Sequence, residues 1–130
     1  EQLAPEVAFF SIGTNDLTSY ALAVDRTNQR VSDLYAPHHP SLARMIGIIT
    51  KVGKEHGVPV SLCGEAAGDP YFLPLLIGLG VRNFSVAPPL IPGVRRKIRS
   101  LYVSRCVRLA EDAVVAADAA EVRKLLDEVN

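Results

Sequence analysis

Cysteine is scarce in this sequence. Cys63 and Cys106 are the two present, and no C-x-x-C pair occurs. Two thiols are too few for a disulfide framework, so a reducing cytosol is the simplest setting. A surplus of either charge is also missing: 14 basic residues balance 14 acidic ones, for a formal net charge of +0. That balance argues against nucleic acid or an anionic membrane as main partner, because both select a basic surplus. No apolar run reaches about 18 residues, so no membrane-spanning helix is expected. No basic stretch followed by an apolar core opens the chain, as a signal peptide would. Internal repeats, low-complexity tracts and Gly/Ser-rich linkers are absent as well.

What is there suits a folded domain. The chain has 130 residues, of which 48% are hydrophobic and 22% charged. A globule of this size buries about two-thirds of its unfolded surface, enough for a core, and one domain is the default. The chain opens on Glu1, and Glu1-Gln2-Leu3-Ala4 reads like the end of a helix already under way. The sequence is therefore expected to belong to a longer polypeptide.

Three short apolar runs alternate with helical patterns. The runs are Val7–Ile12, Val58–Cys63 and Asn83–Ala87. The first two are close to continuously apolar, as strands buried on both faces tend to be. Between them, Ser41 can cap a helix reaching about His56, with Leu42, Met45, Ile46, Ile49 and Val52 on one face and Gly57 as the stop. A second helix follows Asp69 and closes at Gly80, beginning late or bending at Pro74. A third starts near Pro92, with Val94, Ile98 and Leu101 inward. Two helical pieces end the chain, the last with Asp118 and Glu121 in capping-box spacing and a stripe of Val122, Leu125, Leu126 and Val129. The order β-α-β-α-β-α-α-α implies parallel strands joined by right-handed crossovers. In such folds chemistry sits at the carboxyl ends of the strands. That rule selects residues 13–16, 63–65 and 87–89. A closed (β/α)8 barrel takes about 250 residues and eight strands, so three units of one is the most this chain can hold.

The turns carry the candidate chemistry. In Gly13-Thr14-Asn15-Asp16, glycine permits close backbone approach and a helix start offers N–H groups to a phosphate. A carboxylate there can also hold Mg2+ against that phosphate. The plainer reading is that Asn15 or Asp16 caps the helix. Arg26 is a phosphate or carboxylate partner, or half of a surface ion pair. Cys63, followed by Gly64-Glu65, is a nucleophile, a proton donor, or a small buried residue. Cys106 reads as core. His38 and His39, being adjacent, do not readily turn both rings to one metal, and His56 suits a helix C-terminus. Arg95, Arg96, Lys97 and Arg99 read as a solvated helix face.

Taken together, these blocks resemble a known family. Phe10-Ser11-Ile12-Gly13-Thr14-Asn15-Asp16-Leu17-Thr18, then Tyr20, then Leu22-Ala23-Val24-Asp25-Arg26, is similar to the phosphoenolpyruvate-binding barrel of bacterial phosphotransferase-system enzyme I. So is Leu62-Cys63-Gly64-Glu65 with Ala67-Gly68-Asp69 behind it. The likeness runs to about Leu101 and fades in the last helices. Ser19 departs from it, where the family usually has Gln. Pyruvate phosphate dikinase and phosphoenolpyruvate synthase have related barrels, but the dikinase tends to carry His after Cys-Gly-Glu, where this chain has Ala66. The nitrogen-related paralogue of enzyme I shares the same motifs.

The resemblance implies an α/β fold made of the last three βα units of a (β/α)8 TIM-type barrel. These units span about 7–103, with a helical tail over about 104–130, all of 1–130 being one C-terminal part of a barrel this chain alone does not close. It implies transfer of the phosphoryl group of phosphoenolpyruvate to an enzyme histidine and on to a histidine-containing phosphocarrier protein, releasing pyruvate. Asn15, Asp16 and Arg26 would bind the substrate phosphate, with Asp16 also a ligand of Mg2+. Glu65 would lie in the same substrate site. Cys63 would protonate the methylene carbon of the enolate; an ordinary thiol, with a pKa near 8.5, still carries its proton at neutral pH. None of His38, His39 or His56 matches the phosphorylated histidine. A cytoplasmic homodimer is expected, with no membrane insertion, and the fragment by itself is expected to be inactive. The rival readings are a stand-alone α/β anion-binding module without catalysis, and a dimerisation segment.

Overall fold

The computed structural model describes all 130 residues. Three parallel strands, β1 (Phe10–Gly13), β2 (Val60–Cys63) and β3 (Asn83–Phe84), lie in the order β1-β2-β3. Phe10 pairs with Val60 and Gly13 with Cys63, while Ser61 pairs with Asn83 and Leu62 with Phe84. All three strands are shorter than their apolar runs, for identifiable reasons. Pro59 has no N–H to give a ladder, so β2 starts after it and β1 has no partner before Phe10. The Phe10 amide takes the Pro59 carbonyl at 2.9 Å as the last rung. At the other end Ser85 N–H still donates to the Leu62 carbonyl at 2.9 Å. Gly64, at φ 95°, then turns the chain away and leaves β3 nothing further to pair with.

Helix α1 (Thr14–Leu22) follows β1 directly, at the helix start that residues 13–16 suggest, and adds one helix to the expected element order. It ends on Ala23 at φ 52°, with Val24 N–H returning to the Ser19 carbonyl. Helix α2 (Pro40–His56) begins one residue before Ser41. Its cap is His39, whose Nδ1 accepts from the Ser41 amide at 3.2 Å, and Pro40 fills the first turn, where its missing donor costs nothing. Gly57, at φ 67°, stops it as expected. A single turn, α3 (Glu65–Gly68), precedes α4 (Leu73–Gly78), whose start at Leu73 puts Pro74 in the first turn. Helices α5 (Ile91–Ser100), α6 (Val103–Val115) and α7 (Ala119–Val129) complete the chain. No helix is long and apolar enough to cross a membrane.

The strands are buried on one face, not on both. Ile12 and Leu62 point into the core with Ala43, Ile46, Leu75 and Leu76 from the helices. The alternate positions are Ser11, Gly13, Ser61 and Cys63, small residues on a face that no helix covers. Two expected inward residues also stand in the open. Met45 is exposed on α2, and Ile98 is exposed on α5, because β1 and β3 are sheet edges with nothing packed beyond them.

The tail is part of the core. Leu109, Ala110 and Ala113 of α6 join Val122 and Leu126 of α7 in the same cluster as the sheet. Full burial of a side chain the size of Leu126 stabilises by about 1.5–3 kcal/mol. Gly78 lets α4 approach α6 closely, since a Cβ there would run into the Cys106 carbonyl. Cys106 is fully buried at that contact, and burial pushes its thiol pKa up. Arg44 of α2 caps the far end of α6, donating from Nε to the Val114 carbonyl at 2.6 Å. The capping box of α7 forms with a shift: Asp118 accepts from the Glu121 amide at 2.9 Å, while Glu121 reaches the Ala117 amide at 2.8 Å rather than that of Asp118.

Candidate functional site

The carboxyl ends of β1 and β2 stand side by side because Gly13 and Cys63 are register partners. Each strand then gives way to a helical turn, and the two turns are stitched together. Thr14, 4% exposed, donates its hydroxyl to the Cys63 carbonyl at 2.9 Å. Asn15 Oδ1 accepts from the Glu65 amide at 3.3 Å. Between these contacts runs Gly64, whose positive φ and lack of Cβ let it pass against Thr14 Oγ1 and Asn15 Oδ1. A side chain here would strike both.

Arg26 arrives from the loop that follows α1. Its Nη1 donates to Glu65 Oε1 at 2.7 Å. Its neighbour Asp25 is not the partner. The Asp25 carboxylate accepts from the Thr27 hydroxyl at 2.7 Å and the Thr27 amide at 2.8 Å, which together hold its pKa below the ordinary value. Tyr35 completes the frame with a long 3.5 Å bond from its hydroxyl to the Asn15 carbonyl.

Four of the five sequence candidates are therefore linked: Asn15, Glu65 and Arg26 by direct contacts, and Cys63 through its backbone carbonyl on Thr14. Asp16 stands beside them but outside those contacts. It is exposed in the first turn of α1, and no hydrogen bond or ion pair engages its carboxylate. It lines an open groove of about 590 Å³ with Gly13, Leu17 and Tyr20. Neither Asn15 nor Asp16 caps α1. Gly13 holds that position, so the helix keeps its first N–H groups free of side-chain acceptors.

As a metal site, the chain offers one carboxylate. No cluster of three His, Cys, Asp or Glu side chains occurs. That suits Mg2+, which commonly takes one or two carboxylates and completes its shell with water and substrate phosphate. It does not suit a cation held wholly by this chain. His38 and His39 have structural positions instead: His38 is buried against Phe72, with ring centroids 5.8 Å apart, and His39 caps α2. His56 is exposed in the last turn of α2.

One residue, Thr14, and one contact, Arg26–Glu65, escape the sequence reading. Thr14 was part of the quoted motif, and a hydroxyl at a strand-to-helix junction was the available signal. The Arg26–Glu65 pair joins residues 39 apart and has no local signal.

Residues 1–103 match the family described as PEP-utilising enzyme, PEP-binding domain. The chain is similar to phosphoenolpyruvate-protein phosphotransferase of Listeria monocytogenes, at 44% identity over 127 residues, 98% of this chain and 22% of the relative. It is similar to multiphosphoryl transfer protein 1 of Escherichia coli (strain K12), at 44% over 126 residues, 97% of this chain and 15% of the relative. Phosphoenolpyruvate-protein phosphotransferase of Staphylococcus carnosus is 45% identical over 125 residues, 96% of this chain and 22% of the relative. The chain thus spans about a fifth or less of the length of these relatives.

Proposed function

Because the chain belongs to the PEP-utilising enzymes, through their PEP-binding domain, we propose that the whole protein is a phosphoenolpyruvate-protein phosphotransferase. It transfers the phosphoryl group of phosphoenolpyruvate to one of its own histidines, outside residues 1–130, and on to a histidine-containing phosphocarrier protein. The observation that carries this reading is the meeting of Asn15, Arg26, Cys63 and Glu65 at the carboxyl ends of two parallel strands.

The architecture supports a finer assignment. One sheet face is packed by helices and the other, lined by Ser11, Gly13, Ser61 and Cys63, is bare. In a (β/α)8 barrel the bare face looks inward. Residues 7–103 are then the last three βα units of such a barrel and residues 104–130 its helical tail. The isolated chain would be inactive because the phosphorylated histidine and further substrate-binding groups lie outside residues 1–130, and its open sheet edges would make it prone to associate. The whole protein works as a cytoplasmic homodimer in this reading.

The chemistry divides among the residues as follows. The free N–H groups at the start of α1, with Asn15 and Arg26, bind and orient the phosphate. Mg2+, held through Asp16, supplies positive charge to the phosphoryl oxygens when bound. As the phosphoryl group leaves, the bond between phosphorus and the enol oxygen breaks and the electron pair stays with the enolate. Cys63 then gives its Sγ proton to the methylene carbon, forming pyruvate, and the thiolate recovers a proton from water.

The test is Cys63→Ala in the full-length protein. Pyruvate formation should fall by at least about a hundredfold, the lower range for a lost general acid, while phosphoenolpyruvate binding persists. Unchanged turnover would remove Cys63 from the reaction.

A further inference from the structure

The Arg26–Glu65 pair points to a device within this site. It is one of two ion pairs in the chain and the one that joins residues distant in sequence. Each partner is held from its own side. Asp25 is occupied by Thr27, so it does not compete for Arg26. The Glu65 amide is anchored on Asn15, so the backbone of Glu65 is held independently of its carboxylate, which is bonded to Arg26. The side chains are 45% and 75% exposed, which makes the pair weak and easily exchanged.

We propose that Glu65 is an internal stand-in for the substrate's phosphate. It engages Arg26 in the ligand-free protein and yields it to an incoming phosphate. This rests on the reading of the site as a phosphoenolpyruvate site. A guanidinium matches carboxylate and phosphate with the same fork of donors, so the two anions compete for the same N–H groups. A phosphate ester carries more charge and three acceptor oxygens, and it displaces an open carboxylate. A ligand with a carboxylate alone has no such advantage over Glu65. The pair therefore favours entry of the phosphorylated substrate. It also re-forms once the phosphoryl group has left, returning Arg26 to Glu65.

The experiment is a titration calorimetry cycle on the full-length protein with Mg2+. The probe is phosphoglycolate, which carries the phosphate and a carboxylate but has no enol to turn over. Glu65→Gln should bind phosphoglycolate about two- to fivefold more tightly, the range expected when one exposed ion pair no longer competes. In the Arg26→Ala background the same substitution should leave the dissociation constant unchanged. If Arg26→Ala binds too weakly to measure, pyruvate serves as control, and Glu65→Gln should not alter its affinity. Unchanged or weaker binding by Glu65→Gln overturns the proposal and makes Glu65 a support for Arg26. Equal tightening without Arg26, or equal tightening for pyruvate, also overturns it, leaving only general repulsion. Failure of the unsubstituted protein to bind phosphoglycolate overturns the phosphoenolpyruvate reading itself, and the stand-in with it.

Discussion

Thr14 Oγ1 donates to the Cys63 carbonyl at 2.9 Å, binding the first turn of α1 to the last residue of β2. The bond is local in space and 49 residues long in sequence. It fixes the backbone of the proposed proton donor relative to the turn proposed to hold the phosphate. Thr14→Val keeps the shape and removes the donor, leaving the Cys63 carbonyl without that partner. Stability should fall by about 1–3 kcal/mol, as for a polar group left unsatisfied in a largely buried position. Urea unfolding, with an unchanged slope and a lower midpoint, is the measurement.

Gly64 tests the same junction from the other side. Gly64→Ala meets two penalties: a side chain at φ 95° and a Cβ against Thr14 Oγ1 and Asn15 Oδ1. Gly57→Ala meets one, since its φ is 67° but nothing lies within 4 Å of the added Cβ. Strain alone is of order 1–2 kcal/mol, and crowding adds about 1–3 kcal/mol. Gly64→Ala should therefore lower the unfolding midpoint clearly more than Gly57→Ala. In the full-length protein it should also reduce pyruvate formation, which Gly57→Ala should leave intact. Equal midpoints would show that the two turns are not pressed together as described.

Why the sequence revealed some of this and not the rest follows from range. Gly57 and Pro74 mark helix boundaries through their own backbone restrictions, so their effects were legible locally. So was the order of strands and helices, because hydrophobic periodicity is a property of neighbouring residues. The strand limits were not, since they depend on Pro59 failing to pair with a strand 50 residues away. The cap of α2 was misplaced onto Ser41 because serine is the commoner cap; the His39 ring took that role by reaching the Ser41 amide. The single buried sheet face was hidden by Ser11 and Cys63, small residues that suit a covered face as well as a bare one. At the site, the motif placed Asn15, Asp16 and Cys63 at strand ends. The partnership of Arg26 with Glu65, rather than with a near neighbour, required the fold.

Asp16 offers a free carboxylate, so its role is separable from the contact chain. Asp16→Asn in the full-length protein should raise the Mg2+ concentration giving half-maximal activity by at least about tenfold. Loss of an outer-shell partner alone costs 10–100-fold in metal affinity, and a direct ligand should cost no less. Thermal stability without Mg2+ should stay within about 0.5 kcal/mol, because the side chain is exposed and unpaired. An unchanged Mg2+ requirement would remove Asp16 from the metal site.

The tail is latched to the rest of the fold by Tyr71. Its hydroxyl donates to Asp127 Oδ1 at 2.7 Å and lies 3.2 Å from the Arg123 carbonyl, while the Asn130 amide donates to the Tyr71 carbonyl at 3.1 Å. Tyr71→Phe should cost about 0.5–1.5 kcal/mol and speed hydrogen exchange in α7 before the rest of the fold. Burial, aided by the Asp127 carboxylate, pushes the phenol up to about 12. From pH 10 upward the unfolded chain ionises first, so this contribution is lost as pH rises toward about 12. Uniform exchange across α7 and β2 in the variant would argue against a local latch.

His38 should make the fold sensitive to mild acid. It is 6% exposed, stacked on Phe72, and its Nδ1 has no hydrogen-bond partner. Burial lowers its pKa from 6.5, helped by Arg123 of α7 and by His39, while the Ala119 carbonyl opposes the shift. The sign follows from proton counting. Below pH 6.5 the unfolded chain takes a proton that the folded chain resists, so stability falls as pH drops through 6.5 toward the depressed folded value. His38→Phe cannot charge and leaves no orphaned nitrogen. Its melting temperature should therefore decline less than that of the unsubstituted protein from about pH 7 to about pH 5, the window in which histidine titrates. Parallel declines would mean that His38 takes up its proton equally in the folded and unfolded chain, and that carboxylates elsewhere set the acid limit.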